Sequence, residues 1–231
     1  ETVLDSIATA AGEAGVQVVS GDRRVVGRAQ ADGIYITTAG VGLVPADRRL
    51  HPRRVQPGDL IVINGPVGEH GLAVMLEREM PEIQSVLRSD AAPLNGLIEA
   101  MLAAGGDDVA FMRDPTRSGV AAVACDLARD TGLHVTLDER SIPVRPEARH
   151  AADMLGLDLL EIANEGKVIA VVRPDAGDRV LEAMRLHPLG KGAAMIGRVE
   201  DKRDAMCELT TCIGGRRLMQ KPYGEQLPRI C

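Results

Sequence analysis

The sequence is poor in aromatic residues: it has no tryptophan, and Tyr35, Phe111 and Tyr223 are its only aromatic side chains. Single-stranded nucleic acids bind by stacking their bases on aromatic side chains, and duplexes are held by clustered basic residues. Here 33 acidic residues outnumber 27 basic ones, which gives a net charge of −6. Aromatic content and charge together predict that the chain does not bind nucleic acid.

Long apolar runs are also missing. The runs at 60–63 and 168–172 are far shorter than the roughly 20 residues that a membrane-spanning helix needs. Residues 1–15 contain acidic residues in place of the basic start of a signal peptide. Four cysteines without an export signal are typical of reduced thiols. We therefore expect a cytoplasmic protein that does not associate with membranes.

The spacing of apolar residues predicts an α+β fold with a mixed sheet. We predict helices over 3–14, 68–76, 93–104, 118–131, 147–155 and 175–186, and strands over 16–20, 33–44, 60–64, 135–137, 167–172, 194–199 and 205–211. The elements interleave without the strict βαβ alternation of a doubly wound sheet, which favours an α/β sandwich.

One segment is rich in proline and arginine. Residues 45–58 (PADRRLHPRRVQPG) contain three prolines, which remove backbone donors and stiffen the chain. We predict a linker over 46–57, between a first part at 1–45 and a larger domain at 58–222, with an extended tail at 223–231.

The loop 114–119 (DPTRSG) precedes a predicted helix. A helix N-terminus beside an arginine suits an anion, so Arg117 is a candidate ligand, and Thr116 or Ser118 is a candidate helix cap. The alternative is an ordinary capped loop that contains an Asp–Arg pair.

The loop 164–167 (NEGK) lies between a predicted helix and an apolar strand. In an extended chain Glu165 and Lys167 share a face. A partly desolvated carboxylate at the end of a strand can act as a general base. The alternative is a polar turn with no chemical role.

Two further turns combine glycine with charge. In 20–24 (SGDRR), Asp22 is a candidate Mg²⁺ ligand, and Arg23 or Arg24 could neutralise phosphates. The turn 65–71 (GPVGEHG) lacks the Gly-Lys-Ser/Thr end of a P-loop. Its His70 has either a functional or a capping role.

The last eight residues, 224–231 (GEQLPRIC), end in a cysteine that no packing argument requires. At about 3.1 Å per residue, an extended tail of this length reaches roughly 25 Å and could carry a thiol between sites. The alternative is a frayed terminus.

Together these motifs resemble the HypE family of hydrogenase maturation proteins, which is part of the aminoimidazole-ribonucleotide-synthetase-like ATP-binding superfamily. The most specific are DPTRSG at 114–119, ANEGK at 163–167 and PRIC at 228–231. GEHG at 68–71 fits as well. The resemblance runs along essentially the whole chain and implies a two-domain architecture whose first domain is incomplete here.

The resemblance also implies an activity, that of an ATP-dependent carbamoyl dehydratase. The carbamoyltransferase HypF would place a carbamoyl group on Cys231, and ATP with Mg²⁺ would drive its dehydration to a thiocyanate. The cyanide would pass to iron on the HypC–HypD scaffold for [NiFe] hydrogenase. Cys231, Glu165 and Arg24 would be catalytic, and Asp22 would bind Mg²⁺. The implied nucleotide ligands are Asp22, Asp114, Thr116, Arg117, Asn164 and Lys167.

Three features depart from the family pattern. Arg23-Arg24 stands where relatives have Thr-Lys, and Arg24 keeps the positive charge without readily transferring a proton. Ser118 stands where relatives usually have a second glycine. Relatives also carry a further segment ahead of residue 1, with Mg²⁺-binding acids and the strands of a homodimer. We therefore expect this chain alone to bind ATP poorly and to be inactive.

Two other functions remain open. One is a small-molecule phosphotransfer or synthetase activity of the same superfamily, which would not need Cys231. The other is a carrier module that presents Cys231 to partners without turning over ATP.

Overall fold

The computed structural model describes residues 2–30 and 33–222. The chain divides into two compact units, Glu1–Arg48 and Arg49–Cys231. The division falls within the segment predicted as a linker. Residues 49–57 nevertheless belong to the second unit: the backbone N–H of His51 donates to Ala110 O at 2.9 Å, and Val55 is buried.

In the first unit one helix, α1 (Thr2–Ala14), forms as predicted, and none of its residues is buried. The strands predicted over 16–20 and 33–44 are absent from the described part of this unit. A strand forms when its backbone groups pair with a neighbouring strand. Here the alternating apolar side chains face solvent, with Val19 88% and Leu43 99% exposed. The sequence prediction of these two strands was therefore wrong for this structure.

The second unit contains one seven-stranded mixed sheet, which confirms the predicted fold class. Its strands are β1 (Leu60–Ile63), β2 (Val109–Arg113), β3 (His134–Asp138), β4 (Ile169–Val172), β5 (Ala194–Glu200), β6 (Cys207–Thr210) and β7 (Arg216–Met219). They lie in the order β2-β4-β1-β5-β3-β6-β7. The β3–β6 pair is parallel, and the other neighbours are antiparallel.

Helices cover both faces of this sheet. The α-helices of this unit are α2 (Glu69–Glu79), α3 (Asn95–Gly105), α4 (Gly119–Thr131), α5 (Pro146–Leu155) and α6 (Pro174–Leu186), of which α3, α4 and α6 cover the sheet. Ile61 and Ile63 of β1 pack with α4 on one face, whereas Val62 packs with α3 and α6 on the other. This two-residue alternation is what a strand buried on both faces requires. A third cluster joins α2 to α5 beside the sheet.

Sequence reasoning missed two strands, β2 and β7. The short apolar run of β2 has no period that separates a strand from a helix. In β7, Met219 is buried and the other three residues are exposed, so this edge strand shows no apolar alternation. In the part of the chain that the structure describes, no helix is long and apolar enough to span a bilayer.

Candidate functional site

Asn164 joins three loops of the second unit. Its side chain is fully buried. Nδ2 donates to Pro115 O at 3.3 Å and to Ile162 O at 2.9 Å, while Oδ1 accepts from the backbone N–H of Gly68 at 2.8 Å. The structure thus brings together the predicted loops 114–119, 164–167 and 65–71. Because both its oxygen and its nitrogen bond to protein groups, the side-chain amide of Asn164 links these loops to one another.

A second buried asparagine also bonds to the loop 164–167 and to its C-terminal neighbour. Asn64, at the end of β1, donates to Gly166 O at 3.1 Å and to Leu189 O at 2.9 Å. Its Oδ1 accepts from the backbone N–H of Val168 at 2.9 Å. The C-terminal side of the loop 164–167 is therefore fixed to the end of β1.

Lys167 is buried in an ion pair. Its Nζ lies 2.6 Å from Oδ2 of Asp90, and the two side chains are 7% and 4% exposed. The other oxygen of Asp90 accepts from the backbone N–H of Glu165 at 3.0 Å. One carboxylate therefore contacts two of the residues predicted to be functional.

Glu165 is half-buried, and its Oε1 is buried without a hydrogen-bond partner among residues 2–30 and 33–222. Buried polar atoms in native proteins are almost always bonded, so an exception calls for an explanation. Here the exception lies between Asn164 and Lys167, whose side chains are both engaged. The loop therefore holds one buried carboxylate oxygen whose hydrogen-bonding capacity is not used by the described residues.

The loop 114–119 runs into α4 without a side-chain cap. Thr116 Oγ1 donates to Asp114 Oδ2 at 2.7 Å, and Ser118, the N-cap residue, makes no capping hydrogen bond. The capping role predicted for these two residues was therefore wrong. Arg117 is exposed, so its guanidinium is available beside the uncapped helix N-terminus.

Ser118 and Gly119 both have left-handed backbone conformations, with φ of 56° and 61°. A Cβ on Gly119 would lie 2.4 Å from Leu160 O and 2.6 Å from Ile162 O. This close approach holds the start of α4 against the segment that leads to Asn164. Glycine is required at 119, whereas at 118 a serine bears the strain of the left-handed region.

The turn 65–71 contributes two buried titratable groups. Glu69 pairs with Arg145 at 2.9 Å. Burial raises the pKa of Glu69 above its ordinary value, and the charges of Arg145 and Lys167 only partly offset this. His70 Nδ1 lies 2.7 Å from Ser89 Oγ. Glu69 and Lys167, with Asp90, line a cavity of about 650 Å³.

The remaining predicted residues lie elsewhere. Asp22 and Arg24 belong to the first unit, where they form an exposed ion pair at 3.1 Å. Cys231 and the rest of the tail 223–231 lie outside the described residues. One described residue follows Lys221, whose Nζ lies 2.9 Å from Oδ2 of Asp126 on α4.

Within the described ranges no group of three or more His, Cys, Asp or Glu side chains could hold a metal ion. Mg²⁺ is often bound by one or two carboxylates, with phosphates and waters completing its shell. The exposed carboxylate of Asp22 fits a role of that kind. Cys125, Cys207 and Cys212 are free thiols in the described part of the chain.

Sequence reasoning missed Asn64 and Asp90. Asn64 carried a weak signal, because it is the one polar residue at the end of an apolar run. Asp90 carried none: it lies in an aperiodic stretch, 75 residues before Glu165 in the sequence. Only the tertiary fold shows that the two are neighbours.

Comparison with known proteins gives one family match. Residues 56–208 match the family described as AIR synthase related protein, C-terminal domain. Over its full length the chain is 45% identical to a carbamoyl dehydratase HypE from Rhizobium leguminosarum bv. viciae, and it spans 66% of the length of that relative.

Solved structures give the same result. The chain superposes on a crystal structure of hydrogenase maturation protein HypE in complex with ATP, with a TM-score of 0.89 and 34% identity, over 100% of this chain and 70% of that one. It superposes on a HypE chain from a HypE–HypF complex with a TM-score of 0.85 and 35% identity, over 96% of this chain and 72% of that one.

Proposed function

The chain belongs to the carbamoyl dehydratase HypE family, and on that premise we propose that it serves the ATP-dependent dehydration of a carbamoyl group on its own terminal cysteine. The substrate is the S-carbamoyl form of Cys231, and the products are the S-cyano form, ADP and phosphate. The carbamoyl oxygen takes the γ-phosphoryl group as the first N–H proton is lost. The C–O bond then breaks as the second N–H proton is lost, so phosphate leaves and a C≡N bond forms.

The proposal rests on Glu165, because its Oε1 is buried and has no hydrogen-bond partner among the described residues. The neighbouring side chains of Asn164 and Lys167 are both bonded. A general base must be held within hydrogen-bonding reach of the proton that it removes. The contacts of Asn164 and Asp90 fix the loop that bears Glu165. We assign to this carboxylate the removal of the second N–H proton, which is lost as the C≡N bond forms.

The proposed nucleotide contacts come from two loops. Arg117 stands at the uncapped N-terminus of α4, where backbone N–H groups and the helix dipole favour phosphate. Asp114 and Thr116 lie in the same loop. Lys167 supplies a positive charge beside Glu165, whereas the fully bonded Asn164 acts by holding the loops together.

In the first unit, Arg24 would neutralise phosphate charge and Asp22 would hold Mg²⁺. The ion, when bound, offsets phosphate charge during transfer. Both side chains are exposed and paired only with each other in the described contacts, so either can turn to a ligand.

The length of the tail is compatible with a thiol that visits Glu165. Lys221 forms an ion pair with Asp126. Asp126 lies seven residues, or about 10 Å, along α4 from Gly119. The ten residues from Lys221 to Cys231 can span at most about 33–36 Å. Since Pro115, just before α4, bonds to Asn164, this reach is sufficient.

Because HypE has been crystallised with HypF, we propose that a HypF-type carbamoyltransferase loads Cys231. We further propose that the cyanide passes to a HypC–HypD scaffold, and that the complete protein is a homodimer. ATP and free thiols both belong to the cytoplasm, where we place the reaction.

Mass spectrometry of Cys231 tests the proposal. The full-length protein is incubated with a HypF-type carbamoyltransferase, carbamoyl phosphate and ATP. A gain of carbamoyl followed by loss of water supports a dehydratase. A gain without loss of water indicates a carrier, and ATP turnover that survives Cys231→Ala indicates a small-molecule enzyme.

A further inference from the structure

The backbone of Asp90 is in direct contact with Gly166, at the centre of the loop 164–167. A Cβ added at Gly166 would lie 1.7 Å from Asp90 O and 3.2 Å from Ala92 N. No real Cβ comes that close to a backbone atom, so the two segments touch along their main chains. The approach depends on glycine and places the Asp90 side chain beside both neighbours of Gly166.

The carboxylate of Asp90 spans this glycine. Oδ1 accepts from the backbone N–H of Glu165 at 3.0 Å, and Oδ2 accepts from Lys167 Nζ at 2.6 Å. The side chains of Asp90 and Lys167 are 4% and 7% exposed. Charge-assisted hydrogen bonds of this length and burial are stronger than neutral ones and hold a tighter geometry.

The segment that carries Asp90 is itself anchored from α2. Ser89 Oγ lies 2.7 Å from Nδ1 of the buried His70, and it also accepts from the backbone N–H of Ala91 at 3.2 Å. The segment that contains Asp90 is therefore held in place by hydrogen bonds. Its position is set by α2, whose first turn is bonded to Ala163 and Asn164 through Gly71 and Gly68.

These contacts control two properties of the loop. The bond to the backbone N–H of Glu165 sets where the glutamate leaves the main chain and thus where its carboxylate lies. The ion pair holds Lys167 Nζ against the carboxylate of Asp90. Misplacing a reacting group by about 1 Å can slow a reaction about a hundredfold.

We propose that Asp90 is the positioning residue of the catalytic loop, which holds Glu165 as the base and Lys167 as its neighbouring cation without itself touching the substrate. The inference rests on the proposed function. It predicts that a change at Asp90 slows the loss of water from carbamoylated Cys231 and leaves the fraction of competent protein unchanged.

The test is single-turnover dehydration of the carbamoylated full-length protein in saturating ATP, which separates rate from amplitude. Asp90→Asn preserves the size of the side chain and the acceptor for Glu165 N–H but removes the charge beside Lys167. We expect the rate to fall tenfold to a hundredfold, with the amplitude within twofold of wild type. A merely structural role would lower the amplitude and leave the rate unchanged.

Asp59→Asn is the matched control. Asp59 is also a buried aspartate, paired with Arg173 at 2.5 Å, but it precedes β1 whereas Asn64 follows that strand. It should lower stability and leave the dehydration rate at the wild-type value. An Asp90→Asn rate equal to that of wild type overturns the positioning role and leaves the proposed function standing. A wild-type protein that never loses water overturns both.

Discussion

The side-chain oxygen of Asn164 and the backbone nitrogen of Gly68 are 2.8 Å apart although 96 residues separate them in the sequence. The same amide reaches Pro115 O. A single buried side chain therefore fixes the start of α2 and the loop before α4 to the segment that bears Glu165. The candidate site is assembled by this contact, and the first prediction concerns it.

Asn164→Ala leaves the buried N–H of Gly68 and the carbonyl of Ile162 without their partner, whereas Pro115 O keeps its bond from the backbone N–H of residue 164. Each buried group left unsatisfied costs about 1–3 kcal/mol, so we expect the free energy of unfolding to fall by about 3 kcal/mol or more. Urea denaturation measures this loss. A change below about 1 kcal/mol would show that the three loops are held by other contacts.

Two consecutive residues at the start of α4 have left-handed backbone conformations, and substitutions at these two positions should have opposite effects on stability. Ser118→Gly relieves a strained φ of 56° and should stabilise the protein by about 0.5–1 kcal/mol. Gly119→Ala places a Cβ against Leu160 O and Ile162 O and should destabilise it by several times as much. Thermal unfolding of both variants checks the pair. Effects of the same sign would contradict the backbone geometry.

Gly166→Ala should prevent the loop 164–167 from taking its observed position, because the new Cβ would lie 1.7 Å from Asp90 O. We expect a loss of stability of about 3 kcal/mol or more, together with loss of dehydration. Gly12→Ala is the control: nothing lies within 4 Å of the added atom, and a helix gains about 0.5–1 kcal/mol from that change. Near-wild-type stability of Gly166→Ala, measured by urea denaturation, would refute the contact.

Asp126 predicts a dependence of stability on pH. Burial raises its pKa, but the hydrogen bond and charge of Lys221, with Arg129 and Arg113, outweigh burial and hold the pKa below its ordinary value of 3.8. A lowered carboxyl pKa stabilises the fold above that ordinary value, and the contribution is lost as pH falls through the lowered one.

Asp126→Asn should therefore cost about 1.5–3 kcal/mol at pH 7 and progressively less below pH 3.8. Urea denaturation at a series of pH values measures the gap. Lys221→Gln should show a smaller loss of the same sign. A gap between wild type and Asp126→Asn that stays constant from pH 7 to strongly acidic solution would exclude this ion pair as its source.

The sequence predicts the second unit well where apolar periodicity is strong. The strand at 60–64 and the helices at 118–131 and 175–186 are confirmed to within one or two residues, because burial on the sheet imposes their periods. The strand over 33–44 did not form, since propensity alone supplies no pairing partner. The edge strand β7 was missed for the complementary reason: its backbone pairs with β6 while its side chains face solvent.

The site is predictable in part. Motif resemblance identifies Glu165 and the loops 114–119 and 164–167, and the structure brings these loops together. The motif resemblance cannot identify Asp90, because the positioning role proposed for Asp90 depends on a contact between segments 75 residues apart. Residue type alone also does not show whether the side-chain amide of Asn164 links protein loops or binds phosphate. Its burial and its hydrogen-bond partners make that distinction.

The most direct test of the account is the rate of water loss from carbamoylated Cys231 in Glu165→Gln, compared with wild type under saturating ATP. Glutamine retains the size of the side chain but cannot accept the N–H proton as a carboxylate does. We predict that the variant is carbamoylated normally and then remains carbamoylated, with dehydration slowed at least a hundredfold. Dehydration of Glu165→Gln at the wild-type rate would contradict the assignment of Glu165 as the base.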